Sequence, residues 1–364
     1  MTDQPTKVGS AMRMQFGEDR MALVPMLPNR RDVDSAMRLH GLIIAVVFCV
    51  GCGGKTELYV PNAALTSDSG VTEAGPSYPS GAVATYGLGS GIVIYPPHPS
   101  GSTAPLAHLV GDWQQDACEG LAFDLFGNLY ATCWQAGPSE PASRVLVFAA
   151  GSTGSAQPTR AIVRPADAAS DLIFTSAVDR KGWLYVVRDG PDAVFIYPPD
   201  ANGESPPART IAGPDTGLSY SACGAIGPQD ELYVGNAEGT PILVFANGAD
   251  GNATPIRRIG SLEDVVDAIG VAVDSAGNVY VADAVGAAVV VYDSTATNTP
   301  ARVIKGPATG MQDVSAIAVD SDGRIYVGDF DSDTVAVFSP GASGNVGPEA
   351  VLSNVAGRGV AIAP

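Results

Sequence analysis

The stretch GVAVDSAGNVYVAD at 270–283 returns, little changed, as AIAVDSDGRIYVGD at 316–329. In both copies β-branched residues alternate with small ones on either side of an Asp-x-x-Gly turn, Asp274 to Gly277 and Asp320 to Gly323. Alternation with period two reads as two strands, and the turn chemistry joins them as a tight hairpin. Asp hydrogen-bonds the turn backbone, and Gly takes the positive φ that a short hairpin requires. Downstream of each copy lie a third apolar run, VVVY at 289–292 and VAVF at 335–338, and a fourth led by Pro300 or Pro348. Each unit therefore holds four short strands.

Three earlier units carry the equivalent Tyr at positions 130, 185 and 233, with third-strand aromatics Phe148, Tyr197 and Phe245. Prolines lead the fourth strand six times, at Pro105, Pro158, Pro207, Pro255, Pro300 and Pro348. That position suits an outermost strand, where a missing N–H costs little. Ser80 to Tyr95 aligns without a gap on Gly277 to Tyr292, so a sixth unit opens the series but lacks an innermost strand. The chain ends on such a strand, Gly359 to Pro364, and nothing more. The reading is an all-β, six-bladed β-propeller over residues 80–364, with four-stranded antiparallel blades. Its ring closes when the last strand completes the first blade, which removes two free sheet edges.

The repeated Gly-x-Ala-x-Asp…Gly-Asn-x-Tyr-Val-Ala-Asp pattern resembles the NHL repeat. That resemblance implies the propeller fold and leaves function open, since the fold hosts scaffolds, receptors, lyases and lactonases. Composition agrees with it: 43 Gly and 28 Pro leave little room for long helices, and 46% apolar residues suffice for a core. A net charge of −18 repels phosphate backbones and sets nucleic-acid binding aside. Three His in all argue against chemistry built on several histidines.

Residues 1–36 lack pattern and read as a misassigned start. From Met37, Arg38 precedes an apolar run, Leu42 to Val50, which ends at Gly51-Cys52. The run is too short to span a bilayer, for which ~20 residues are needed. Residues 37–51 resemble a bacterial lipoprotein signal peptide, which implies cleavage before Cys52 and acylation of its thiol. Residues 52–79, rich in Ser, Thr, Gly, Ala and Pro, read as a flexible tether, with a strand-like scrap at Glu57 to Val60. The expected location is therefore the bacterial cell envelope, lipid-anchored and outside the cytoplasm, with a monomeric propeller.

Loops that follow the second and fourth strands gather on one face, here called the loop face, and the tight turns on the other, the hairpin face. The loop face is expected to present Trp113, Trp134, Tyr86, Tyr220 and Phe330, beside Asp112, Asp116, Asp215, Asp267, Asp313 and Asp331. Aromatic platforms beside carboxylates suit a carbohydrate or protein partner, unless the rings cap blade cores and the acids only solvate loops. Three residues after each second-strand Tyr, or its equivalent, comes a ring position near the channel mouth: Tyr86, Cys133, Arg188, Asn236, Asp283 and Asp329. Asn236, Asp283 and Asp329 fall on consecutive blades, where their oxygens are candidates for a Ca²⁺ site. Gluconolactonase- and regucalcin-like propellers hold their metal in the channel in this general way, which implies a Ca²⁺-dependent hydrolase or lactonase as the alternative to a non-catalytic binding module. The competing reading is that these three residues hydrogen-bond the ends of neighbouring strands. Asp329 to Asp333 begins like an EF-hand loop but lacks the sixth-position Gly. His98 and His108 fall on the outer half of the first blade, away from the channel, and no nucleophile motif occurs. Cys118 and Cys133 lie at one end of a predicted hairpin, within reach of a disulfide; the other possibility is buried thiols.

Overall fold

Each Asp-x-x-Gly turn and its flanking runs form the antiparallel hairpin that the alternation predicts. The computed structural model describes residues 47–49, 57–59, 77–87, 91–115, 117–135, 142–164, 172–189, 192–355 and 357–364. The chain divides into two compact units, 1–73 and 74–364. In the first, β1 (Val47–Cys49) pairs antiparallel with β2 (Glu57–Tyr59). β1 falls within the apolar run of the signal-like segment, and Cys52 lies outside the described residues.

The second unit is a ring of six four-stranded antiparallel sheets. Its first blade holds β3 (Val83–Gly87), β4 (Gly91–Tyr95) and β5 (Ala107–Leu109). The second holds β6 (Ala117–Phe123), β7 (Leu129–Gln135), β8 (Ala142–Phe148) and β9 (Arg160–Arg164). The third runs through β10 (Leu172–Val178), β11 (Leu184–Asp189), β12 (Ala193–Tyr197) and β13 (Arg209–Ile211). In the fourth come β14 (Ser221–Ile226), β15 (Leu232–Asn236), β16 (Ile242–Phe245) and β17 (Arg257–Ile259). The fifth has β18 (Ala268–Val273), β19 (Val279–Asp283), β20 (Ala288–Tyr292) and β21 (Arg302–Lys305). The sixth has β22 (Val314–Val319), β23 (Ile325–Asp329), β24 (Thr334–Phe338) and β25 (Ala350–Ser353). Last, β26 (Gly359–Ile362) pairs with β3, setting Gly359 opposite Tyr86 and Ile362 opposite Val83. The ring closes as the sequence implies.

Blades stack on both faces of their neighbours, so the middle strands are buried on both sides. All five positions of β19 and of β20 are buried. This is why VYVAD and AVVVY read as continuous apolar runs instead of alternating ones. In five blades the innermost pair carries a register shift near the loop face, for instance between Ala268 and Gly270 and between Val314 and Ala316. Such bulges bend the inner strand and re-aim one side chain.

The outer edges depart from the expectation that they stay unpaired. Leu109, Ile162, Ile211 and Ile304 each form a parallel bridge with a glycine of the next blade's loop: Gly154, Gly203, Gly251 and Gly344. Those glycines take φ of 61–72°, which lets the loop lie along the strand and cover its edge.

A second device ties blades together on the hairpin face. Asp274 Oδ1 accepts from the Ala276 and Asn278 amides, both at 2.9 Å, while Oδ2 accepts the Tyr280 hydroxyl at 3.1 Å. Asp124, Asp179 and Asp320 repeat the arrangement with Tyr130, Tyr185 and Tyr326. The fourth blade lacks the turn Asp, and Glu231 takes over, accepting from the Gln229 amide and the Tyr233 hydroxyl. An Arg at the start of the outer strand then reaches a carbonyl of the following blade: Arg160 to Pro199 and Ala201, Arg209 to Ala249, Arg257 to Ser294, Arg302 to Ala342. At the two seams of the first blade the matching residue is Ala107 or Ala350. There Tyr78 donates to the Ser152 carbonyl, and His98 Nε2 lies 3.2 Å from Asp322 and 3.6 Å from Asp320.

Candidate functional site

The loop face is built on the last residues of the second strands, and these prove to be loop anchors. The Asn236 amide oxygen accepts from Ser221 Oγ at 2.9 Å and the Ser219 amide at 3.3 Å. Its nitrogen donates to the carbonyls of Gly217 and Thr240. Asp283 Oδ1 accepts from the amides of Val266 and Asp267, at 3.3 and 3.0 Å. Asp329 Oδ2 accepts from Gln312 and Asp313 amides at 2.6 and 3.1 Å, and its Oδ1 from the Ser332 amide and hydroxyl. All three are at most 3% exposed. Each serves its own blade, gripping the loop that enters it, so the expected convergence on Ca²⁺ is not what the geometry provides. No group of three or more His, Cys, Asp or Glu suited to a metal occurs among the described residues. The physical reason is local: a loop entering a blade brings unpaired amides to the strand end, and a buried carboxylate or amide oxygen satisfies them.

The rest of that ring position is buried too. Arg188 is 5% exposed and lies 5.6 Å from the Phe195 ring centroid. Cys133 is bonded to Cys118, its direct cross-strand partner, with Cα atoms 3.9 Å apart. Cys223 is a free buried thiol whose sulfur donates to the Ala268 carbonyl; burial pushes its pKa far up, which leaves it inert.

The expected aromatic platform divides. Tyr86 is fully buried on β3, and Trp113 is 3% exposed on the 3-10 turn Asp112–Gln115. The Trp113 ring lies 5.0 Å from Phe148, and its indole N–H donates to the Ala156 carbonyl. Both cap a blade core and present nothing to a partner, which corrects their assignment to the surface. Trp134 is on β7, opposite Ala117 and Ser143, with its side chain outside the described residues. Tyr220 and Phe330 are exposed, but on loops of the fourth and sixth blades. The Arg358 guanidinium sits 4.0 Å over the Phe330 ring and 3.3 Å from Glu119, tying the closing strand's approach to β6. Leu262, Val266 and Val285, aliphatic residues of its loops, add exposed apolar surface around the fifth blade.

Of the loop acids, Asp112 is exposed and Asp116 lies outside the described residues. Asp215 accepts from Asn252 Nδ2 at 2.7 Å. Burial, reinforced by Asp283, holds the Asp267 carboxyl above the usual range; burial, with Asp331 and Asp329 beside it, does the same for Asp313. These acids repel one another across the loops and would draw cationic or hydrogen-bonding groups. On the hairpin face, between the turns of the second to fifth blades, lies a cavity of about 260 Å³ to which the sequence reading assigned nothing.

No family model matches the chain, and no curated protein matches it. Among solved structures, the major allergen Mala s 1 of Malassezia sympodialis is similar at 17% identity and a TM-score of 0.52, over 69% of this chain and 85% of that one. A Bacteroides caccae protein of unknown function is similar at 12% identity and a TM-score of 0.50, over 78% of this chain and 98% of that one. The WD40 β-propeller domain of Doa1 follows at 11% identity and 0.47, over 76% and 84%. Likeness at such identities speaks for fold alone. What the strand order and the closing strand establish is that the chain folds as a six-bladed β-propeller.

Proposed function

We propose that this protein is a non-catalytic binding module of the bacterial cell envelope, held by an acylated Cys52 and built on NHL-like repeats. Its loop face takes a protein or carbohydrate partner. The observation that carries this reading is how the polar strand ends are used: Asn236, Asp283 and Asp329 spend their side chains on holding loops. That rigidifies a face on which Tyr220, Val266, Val285 and Phe330 stand exposed, which is an arrangement for contact more than for turnover. The Cys118–Cys133 bond supports an oxidising compartment.

The test is capture of envelope proteins and glycans on the immobilised chain, comparing wild type with a Tyr220→Ser/Val285→Ser variant. A ligand held by wild type and lost by the variant supports the reading. Retention by the variant, or hydrolase activity that appears on adding Ca²⁺ and disappears in Asp283→Ala, overturns it. Cys52→Ser is expected to move the protein out of the membrane fraction.

A further inference from the structure

The hairpin-face cavity has an apolar floor, with Asp179, Arg180, Asp274 and Ser275 from the turns along its sides. Phe123, Val178, Ile226 and Val273, the last residues of four successive inner strands, line it together with Leu125 and Pro228 from the turns. Val319 and Ile362 hold the same place in the other two blades, so all six inner strands end apolar at this mouth, each partly exposed.

The rim carries a second anomaly. Between the anchoring Asp and the Gly, the tight turns read Arg180-Lys181, Ser275-Ala276 and Ser321-Asp322, with Pro228-Gln229 at the equivalent place in the fourth blade. The second blade alone has two large apolar residues, Leu125 and Phe126, at 58% and 77% exposure. Four blades fold with small or polar residues there, so the turn itself does not require them.

The charges around the mouth are already engaged. Arg180 donates to the Pro228 carbonyl at 2.7 Å and lies 3.5 Å from Asp230. Both oxygens of Asp179 accept bonds from its own turn and Tyr185, and those of Asp274 from its turn and Tyr280. The charged residues that line the cavity are thus held by their own turns and neighbours, and an anion would also meet the chain's net charge of −18.

We propose that this cavity binds a small uncharged aromatic or aliphatic molecule, with Leu125 lining its outer side and Phe126 extending the apolar rim. The site is independent of the loop-face reading above. The volume of about 260 Å³ suits a molecule of two rings, its apolar face against the strand ends.

The test is a fluorescence titration of the full chain at neutral pH with 1-naphthylamine, an uncharged two-ring probe. The expected result is saturable binding at one site per chain. Leu125→Ser, on an exposed turn, should weaken it roughly tenfold without changing the melting temperature. Ile226→Trp, which fills the cavity, should abolish it. Ile256→Ser removes a side chain that is similarly exposed, at 64%, but lies elsewhere, and should leave affinity unchanged. Absence of saturable binding by wild type overturns the proposal, as does Leu125→Ser binding like wild type. Leu125→Ser alone decides if Ile226→Trp does not fold.

Discussion

Replacing Tyr292 by Phe should stabilise the protein. Tyr292 ends the third strand of the fifth blade and is fully buried against the fourth blade's core. Its hydroxyl has no hydrogen-bond partner among the described residues. Burial, with Asp264 and Asp283 nearby, pushes the phenol's pKa well up, so the hydroxyl stays neutral and simply pays for lost water contacts. Burying a hydroxyl without a partner costs ~1–3 kcal/mol, and an apolar replacement of the same shape recovers part of that. The surrounding structure already accepts Phe: Phe148, Phe245 and Phe338 hold the matching register in the second, fourth and sixth blades. Packing is close, since a Cβ on Gly260 would sit 2.7 Å from the hydroxyl, so losing one oxygen leaves little void. A net gain of ~1 kcal/mol is expected, or a melting temperature higher by roughly 2 °C for a domain of this size. Urea unfolding and calorimetry of wild type and Tyr292→Phe measure it, with Phe338→Tyr as the reciprocal variant expected to lose stability. A Tyr292→Phe protein less stable by ~1 kcal/mol would mean that the hydroxyl is satisfied after all, and the argument from its burial would fall.

Three further outcomes are expected. Deleting residues 359–364 strips β3 of its inner partner and uncovers the core that the buried Val360 and Ala361 pack against; it should cost several kcal/mol of the ~5–15 that a domain possesses, read as a lower denaturation midpoint or failure to fold. Cys118→Ser/Cys133→Ser opens a covalent link across 15 residues and should cost up to ~3 kcal/mol, measured by unfolding beside the wild type under reducing conditions. Asp267 has a carboxyl pKa raised by burial and by Asp283, so the folded state holds its proton more tightly than the unfolded one. The stability this lends is complete below the ordinary Asp range, near pH 4, and is lost as pH rises through the raised value. Asp267→Asn should therefore stabilise the protein near neutrality, with the advantage vanishing in acid; urea midpoints across pH would show a constant difference if the linkage were wrong.

Blade number, strand boundaries and ring closure were legible in the residues because each is a local or periodic matter. The Asp-x-x-Gly turns declare their hairpins, and a repeat that cannot bury its own faces must stack on its neighbours. The closing strand could be read because Gly359 to Pro364 has no other partner and the first unit lacks one. Sequence also placed Cys118 and Cys133 at one strand end, since hairpin register follows from the turn.

Tertiary structure decided what those residues do. Trp113 and Tyr86 look like surface aromatics in a loop-rich segment, yet one turn of 3-10 helix and one strand pairing fold them into the blade core. Asn236, Asp283 and Asp329 share a register that suggested a common ligand. Whether their oxygens face a channel or an incoming loop depends on how that loop's amides arrive, and spacing along the chain does not encode this. The Arg staples show the same limit: Arg160, Arg209, Arg257 and Arg302 repeat visibly in sequence, but their acceptors are backbone carbonyls in the next blade, groups that every residue carries. The apolar ring at the hairpin-face mouth was likewise present in the sequence as six strand ends. Only closing the ring brought four of them around one cavity, because side chains some fifty residues apart become neighbours when the blades are set about a single axis.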